Sequence, residues 1–179
     1  MNDTIGDRHG SAVVTLPSDT EILVTRRFDA PAALVFEAWT TPELVRRWWA
    51  GDRGEVTEAR IELRVGGRWR WVMTTNGGFE VAFSGEYLEI DRPRRLVRTE
   101  VFESVPDAGA VSTVTFDEAD GVTTLGIRGR YPSREHRDAA LASGMEGGLQ
   151  TSLDALEGLV RHPAQATPGR RGGRPGRLA

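Results

Sequence analysis

The side chains that could do chemistry in this chain are few. Cysteine is absent, which removes thiol nucleophiles, disulfides, cysteine-held zinc and iron–sulfur clusters in one step. Histidine, the side chain whose charge changes near neutral pH, occurs three times. His9 and His162 fall in or beside segments that read as tails, which leaves His136 near the start of an amphipathic run, where a lone histidine is ordinarily a surface residue. A metal would need an all-carboxylate shell, and no calcium-loop or paired-ligand spacing is present. There is no G-x-S-x-G, no P-loop and no dinucleotide fingerprint; Gly66-Gly67 reads as a turn before a strand. No metal, no cofactor and no catalytic residue is therefore assigned.

What the sequence offers instead is a set of aromatic and sulfur side chains at strand and helix spacing. Trp69, Trp71 and Met73 alternate with Arg68, Arg70 and Val72, so the first three share one face of a strand. Phe83, Gly85 and Tyr87 do the same on the next, where the glycine between two aromatics suggests open space. Met145 and Leu149 lie on one face of a helical segment. With Trp39, Trp48 and Trp49 from an earlier helical stretch, these residues are expected to line an apolar pocket or to fill a core, with Tyr87 as a polar handle. Trp48 and Trp49 are adjacent on one helix and cannot both point inward, so one is expected at the pocket entrance or on a contact surface. Glu80, Glu86, Glu100, Arg128 and Arg130 lie on strands. A carboxylate turned into an apolar interior would have a raised pKa and could act as a general acid or base, but most of these residues are expected to face outward in cross-strand pairs.

The elements that must position these residues follow from patterning. Glu21–Asp29 alternates as a strand. Ala30-Pro31 opens a helix with Asp29 placed to cap it and with Leu34, Val35, Ala38 and Trp39 at helical spacing. Thr41-Pro42 starts a second short helix that stops at Gly51. Strands are expected near 56–63, 67–74, 78–90, 95–102, 111–118 and 123–131, separated by turn residues. Among these, Asn76-Gly77 and Asp120-Gly121 carry the positive φ that hairpins need. Ser133 then caps a long helix whose Met145, Leu149, Leu153, Leu156 and Val160 recur at three- and four-residue steps, although Gly144, Gly147 and Gly148 interrupt it or bend it. The order is strand, two helices, six antiparallel strands and a long helix: an α+β arrangement in which a curved sheet wraps a C-terminal helix.

Composition agrees with one such domain flanked by tails: residues 1–19 as a flexible arm, 20–161 as the ordered body, and 162–179 as a disordered Arg/Gly/Pro-rich tail. All 23 basic residues are arginine. Four of them, Arg170, Arg171, Arg174 and Arg177, sit in the last ten residues with no acid, so the body is more acidic than the net charge of −3. Such a body is a poor nucleic-acid binder. No apolar run is long enough for a signal peptide or a membrane span, and a cytoplasmic location is expected.

Several segments together resemble a known group. Phe28-Asp29-Ala30-Pro31-Ala32-Ala33-Leu34-Val35-Phe36-Glu37-Ala38-Trp39-Thr40 is similar to the opening of the START-like (SRPBCC) superfamily. More narrowly, it resembles the homology domain of the activator of the heat-shock-protein-90 ATPase. Leu44-Val45-Arg46-Arg47-Trp48-Trp49, Gly66-Gly67-Arg68-Trp69, Gly85-Glu86-Tyr87-Leu88-Glu89-Ile90, Val114-Thr115-Phe116 and Gly144-Met145-Glu146-Gly147-Gly148-Leu149 follow in order. The resemblance covers about residues 21–160. It implies the helix-grip fold with a pocket between sheet and last helix, and hence a protein that binds a small hydrophobic, lipid-like, aromatic or polyketide-like molecule as a monomer or homodimer. It leaves as alternatives a cyclase, dehydratase or hydrolase working in the same cavity, and a relative of the self-sacrificing enediyne-resistance proteins. Where many relatives follow the double tryptophan with Gly-Pro, this chain has Ala50-Gly51-Asp52-Arg53. The eukaryotic activator carries a further chaperone-binding domain to which no part of this sequence corresponds, so chaperone activation is not expected.

Overall fold

The computed structural model describes residues 11–162. The arm and the Arg-rich tail therefore lie largely outside the described residues, but the end of the expected arm lies within them. Val13–Thr15 forms strand β1, paired antiparallel with β2 (Glu21–Phe28) through Val13↔Thr25, Val14↔Val24 and Thr15↔Leu23. Three consecutive β-branched residues suit an edge strand, although a run that short shows no period from which to read it.

After β2 come α1 (Ala32–Thr40) and α2 (Pro42–Trp48). A meander follows: β3 (Gly54–Ile61), β4 (Arg68–Thr75), β5 (Glu80–Asp91), β6 (Arg95–Phe102), β7 (Ala110–Ala119) and β8 (Val122–Arg130). The strands form one antiparallel sheet in the order β1-β2-β8-β7-β6-β5-β4-β3. The β7–β8 hairpin turns on Asp120 and Gly121, both at positive φ, as a two-residue turn of this type requires. At the β4–β5 hairpin the positive φ falls on Gly78 rather than on Asn76 or Gly77, and Gly78 N–H donates to Thr75 O. That loop is longer than an Asn-Gly turn, so its left-handed glycine sits later.

Two helix expectations are corrected. Asp29 does not cap α1; the helix begins after Pro31, and Glu118 on β7 accepts from Ala32 N–H at 2.8 Å in place of a cap. Ser133 caps its helix by accepting from His136 N–H, but this helix, α3 (Arg134–Ala142), ends at Ser143. Gly144 turns left-handed at φ 82° and the chain restarts as α4 (Met145–Arg161), so the single long helix is two. α4 is the helix the sheet grips. Leu153, Leu156, Leu159 and Val160 bury one of its faces against a core shared with Ile22, Val24 and Phe28 of β2, Val35, Phe36 and Trp39 of α1, and Leu96, Val114, Phe116 and Leu125 of the central strands.

Two arginines fasten α4. Arg26, its side chain 1% exposed on the inner face of β2, reaches Asp154 at 2.6 Å and Glu157 at 2.5 Å. Arg53, in the loop between α2 and β3, donates to Trp49 O, Ala50 O and Ser152 Oγ at 3.0, 3.2 and 2.9 Å. No helix among the described residues is long and apolar enough to cross a membrane.

Candidate functional site

The strand alternation of β4 puts Trp69, Trp71 and Met73 on the inner face, and all three are buried. Trp39, Trp48 and Tyr87 are buried with them, while Trp49, Phe83, Met145 and Leu149 are half-buried and pack against the same core from its edge. The tryptophans are collected around Trp71. Its ring lies 5.3 Å from Trp69, 5.6 Å from Trp49, 5.9 Å from Trp48 and 6.3 Å from Trp39, in each case edge to face, the arrangement the aromatic quadrupole favours. Of the adjacent pair, Trp48 is fully inside and donates to Ala38 O at 2.9 Å. Trp49 lies between Trp71 and Phe83 at the half-covered edge.

Gly85 does not mark open space. Thr99 O of β6 lies 1.9 Å from where a Cβ on Gly85 would sit, so the missing side chain lets that carbonyl turn inward. There it accepts from Trp69 Nε1 at 3.1 Å.

The residue that sequence reasoning missed is Arg98. It lies on the inner face of β6, opposite Tyr87 on β5 and Ser112 on β7. Its side chain is 3% exposed. The guanidinium carbon stands 3.7 Å over the Trp69 ring and 4.7 Å over Trp71, close enough for a cation–π attraction of about 2 kcal/mol in a desolvated setting. Nη2 donates to Glu100 Oε2 at 3.2 Å, and Glu100 is 34% exposed, so the pair runs from the interior outward. Beyond it, half-buried Tyr131 has its pKa pushed up to about 12 by burial and by the charge of Glu100. Arg98 could have been found only by pairing it with Leu96 two positions earlier. Leu96-Val97 and Val101-Phe102 hide the alternation of β6, because apolar residues occur on both faces.

The polar inventory of this interior is lopsided. Arg98 Nε and Nη1, Trp39 Nε1, Trp71 Nε1 and the Tyr87 hydroxyl are buried without a hydrogen-bond partner. Tyr87 stands beside the Arg98 guanidinium without a hydrogen bond of normal geometry. Its pKa is raised, by burial first, with the neighbouring cation opposing. An orphaned buried donor ordinarily costs about 1–3 kcal/mol, and a filled core is built to avoid it. These five atoms belong to four side chains linked by contact or strand pairing: Tyr87 with Arg98, Arg98 with Trp71, Trp71 with Trp39.

The other strand residues singled out stand apart from this cluster. Arg128 pairs with Glu21 at 3.4 Å on the outer face, Glu80 and Arg130 are exposed, and Glu86 alternates with buried Gly85 and Tyr87, which turns it outward. Of these strand residues, only Glu100 reaches the interior. His136 is engaged in the α3 cap, its Nδ1 lying 2.8 Å from Ser133 Oγ. Among the described residues no group of three or more His, Asp or Glu is placed to hold a metal ion.

Known proteins place this architecture. A protein of Rhodobacter sphaeroides superposes with a TM-score of 0.78 at 24% identity, over 84% of this chain and 99% of that one. An Arthrobacter aurescens protein gives 0.76 at 21% identity over 90% and 98%. Protein Ms6760 of Mycobacterium smegmatis gives 0.75 at 24% over 83% and 96%. At these identities the likeness concerns the fold. No curated protein matches. The family model described as activator of Hsp90 ATPase homolog 1-like protein matches residues 29–161, from the end of β2 to the end of α4. The chain belongs to that family, within the START-like superfamily.

Proposed function

We propose that the chain is a binding module for a small hydrophobic molecule, held between the inner face of the sheet and α4 and lined by the aromatic cluster around Trp71. One observation carries this reading: five hydrogen-bond donors without acceptors sit inside a shell of indoles. An apolar molecule with acceptor oxygens would bury its rings against Trp39, Trp69 and Trp71 and satisfy those donors together, which a purely structural core would have done for itself. The half-buried Trp49, Phe83, Met145 and Leu149 would form the side through which it enters. Family membership supports the reading, because this is a ligand-binding fold; the identity of the ligand is the proposal's own.

Tryptophan fluorescence tests it. Trp71 touches every other tryptophan of the chain, so a molecule entering the cluster must change the emission. Saturable quenching by aromatic or acyl ligands is the expected result. No response from either class, in a chain that unfolds cooperatively, would show that the donors are buried for another reason.

A second reading has its own observation. Glu100 faces inward beside Arg98 and Tyr131, and an inward carboxylate paired with arginine is what a cyclase, dehydratase or hydrolase working through cavity shape would use. Recovering the bound ligand and comparing its mass with that supplied separates the two: an altered ligand makes the chain an enzyme.

A further inference from the structure

From the polar groups inside the aromatic cluster we infer that the ligand is an aromatic carboxylate and that Arg98 is its counter-ion. This deepens the binding reading above and rests on it. Arg26 Nε and Glu58 Oε1 are also without a hydrogen-bond partner but lie outside this cluster; the five atoms within it are all N–H or O–H groups, and those of Trp39, Trp71 and Arg98 have no acceptor function at all. They call for oxygen lone pairs. Only one of the four side chains carries a charge, and it is nearly fully buried with Nε and Nη1 still unused. A buried cation is stable when paired and hydrogen-bonded. Glu100 gives Arg98 a single bond from a carboxylate one-third in solvent, while the faces of Trp69 and Trp71 hold the guanidinium without using its hydrogens.

A ligand carboxylate entering among the indoles would take the free N–H groups and leave its rings against Trp71 and Trp39. A single negative charge fits better than a phosphate, because Arg98 is the one cation among these four side chains and Glu100 already shares it. The same geometry sets a competition. Glu100 repels an incoming anion and holds the arginine when no anion is present, so the two residues act on anion binding with opposite sign.

The experiment is calorimetry on the full chain with three pairs of increasing ring size: benzoate and benzamide, 2-naphthoate and 2-naphthamide, 9-anthroate and its amide. On the native chain the best-fitting carboxylate should bind about ten- to a hundredfold more tightly than its amide, the usual worth of a charge-assisted hydrogen bond. Arg98→Met should erase that preference by weakening the carboxylate far more than the amide, Arg98→Lys should keep part of it, and Glu100→Gln should strengthen carboxylate binding several-fold and the amide much less. Equal binding of acid and amide to the native chain would overturn the inference and leave the binding module standing. A carboxylate preference that survives in a folded Arg98→Met chain would overturn it too, and so would Glu100→Gln weakening the acid, a test that holds even if Arg98→Met fails to fold. Binding of none of the six would overturn the inference, and the binding module would then fail only if acyl ligands also left the tryptophan emission unchanged.

Discussion

Gly147 and Gly148 are neighbours in α4 with opposite surroundings, and alanine at each position separates helix propensity from a packing contact. A methyl on Gly147 meets nothing within 4 Å, whereas on Gly148 it comes 2.6 Å from Arg53 Nη1 and 3.2 Å from Cζ. The Arg53 head cannot move aside freely. Nη2 holds Trp49 O and Ser152 Oγ, Nε holds Ala50 O, and burial lowers its pKa, as expected for a guanidinium with restricted access to water. Gly→Ala at a compatible helical position gains about 0.4–1 kcal/mol, which for a chain of this size is about 1–4 °C in Tm. Gly147→Ala should show that gain. In Gly148→Ala the same gain is set against the loss or weakening of two or three hydrogen bonds from a charged donor, each worth about 1.5–3 kcal/mol when intact. Water at this half-exposed loop replaces part of that, and the balance is a net loss of about 1–2 kcal/mol. Thermal unfolding followed by circular dichroism reads both variants. Adding Arg53→Ala completes a double-mutant cycle, in which Gly148→Ala should become as favourable as Gly147→Ala, with a coupling of about 1.5–3 kcal/mol. If Gly148→Ala alone raises Tm as much as Gly147→Ala, or the coupling is near zero, Arg53 does not clamp the 50–53 loop to α4.

Three further outcomes follow from the same contacts. Arg26→Met removes the buried partner of Asp154 and Glu157; because both acids keep some access to water, the loss should be about 2–3 kcal/mol in urea unfolding, with faster amide exchange in α4, and an unchanged midpoint would count against the clamp. Gly85→Ala places a methyl on Thr99 O and breaks the Trp69 bond; it should cost about 3 kcal/mol and alter the near-ultraviolet circular dichroism of the tryptophans, and a native spectrum at native stability would refute it. Both tyrosines of the chain have raised pKa values, Tyr131 up to about 12. A group whose folded pKa lies above its unfolded value of about 10 stabilises the fold below that pH and loses this contribution as pH rises through the folded value. Phenolate absorbance should therefore rise later than that of a free tyrosine, with the Tyr131 step moved toward about pH 12 and accompanied by unfolding; two complete steps at about pH 10 in a folded chain would contradict the burial of these rings.

Much of this architecture was legible because turn residues and strand alternation point the same way. The turn residues around Pro93 and Pro106 give β6 its observed bounds, and alternation puts Trp69, Trp71 and Met73 on one face. What failed did so where tertiary contacts overrode local signals. Asp29 has the chemistry of a cap, but Glu118, distant in sequence, reaches the α1 N-terminus instead. Gly85 between two aromatics suggests space, and only the neighbouring strand shows it to be a close approach of backbone. Gly144 was recognised as an interruption, yet nothing local decides whether a glycine bends a helix or ends it; here the left-handed φ ends it. Arg98 was invisible because a strand with apolar residues on both faces has no readable inside, and because an arginine is expected outside unless its partners are known.

Those partners also bear on the choice between binder and enzyme. Catalytic proton transfer near neutral pH needs a group whose pKa lies near the working pH. Inside the cluster, Arg98 offers only N–H donors and no lone pair to accept a proton. Tyr87 is pushed further from neutrality by its burial, as is Tyr131 at the edge. His136 is held in a helix cap outside the cluster. Glu100 is the one carboxylate among these, and it is held by its hydrogen bond to Arg98. These groups fit the binding reading proposed above better than its enzymatic alternative. For that reason the opposite effects of Arg98→Met and Glu100→Gln on carboxylate affinity are the more informative test: a binding site predicts them, whereas an enzyme using Glu100 as acid or base predicts lost turnover in Glu100→Gln with affinity little changed.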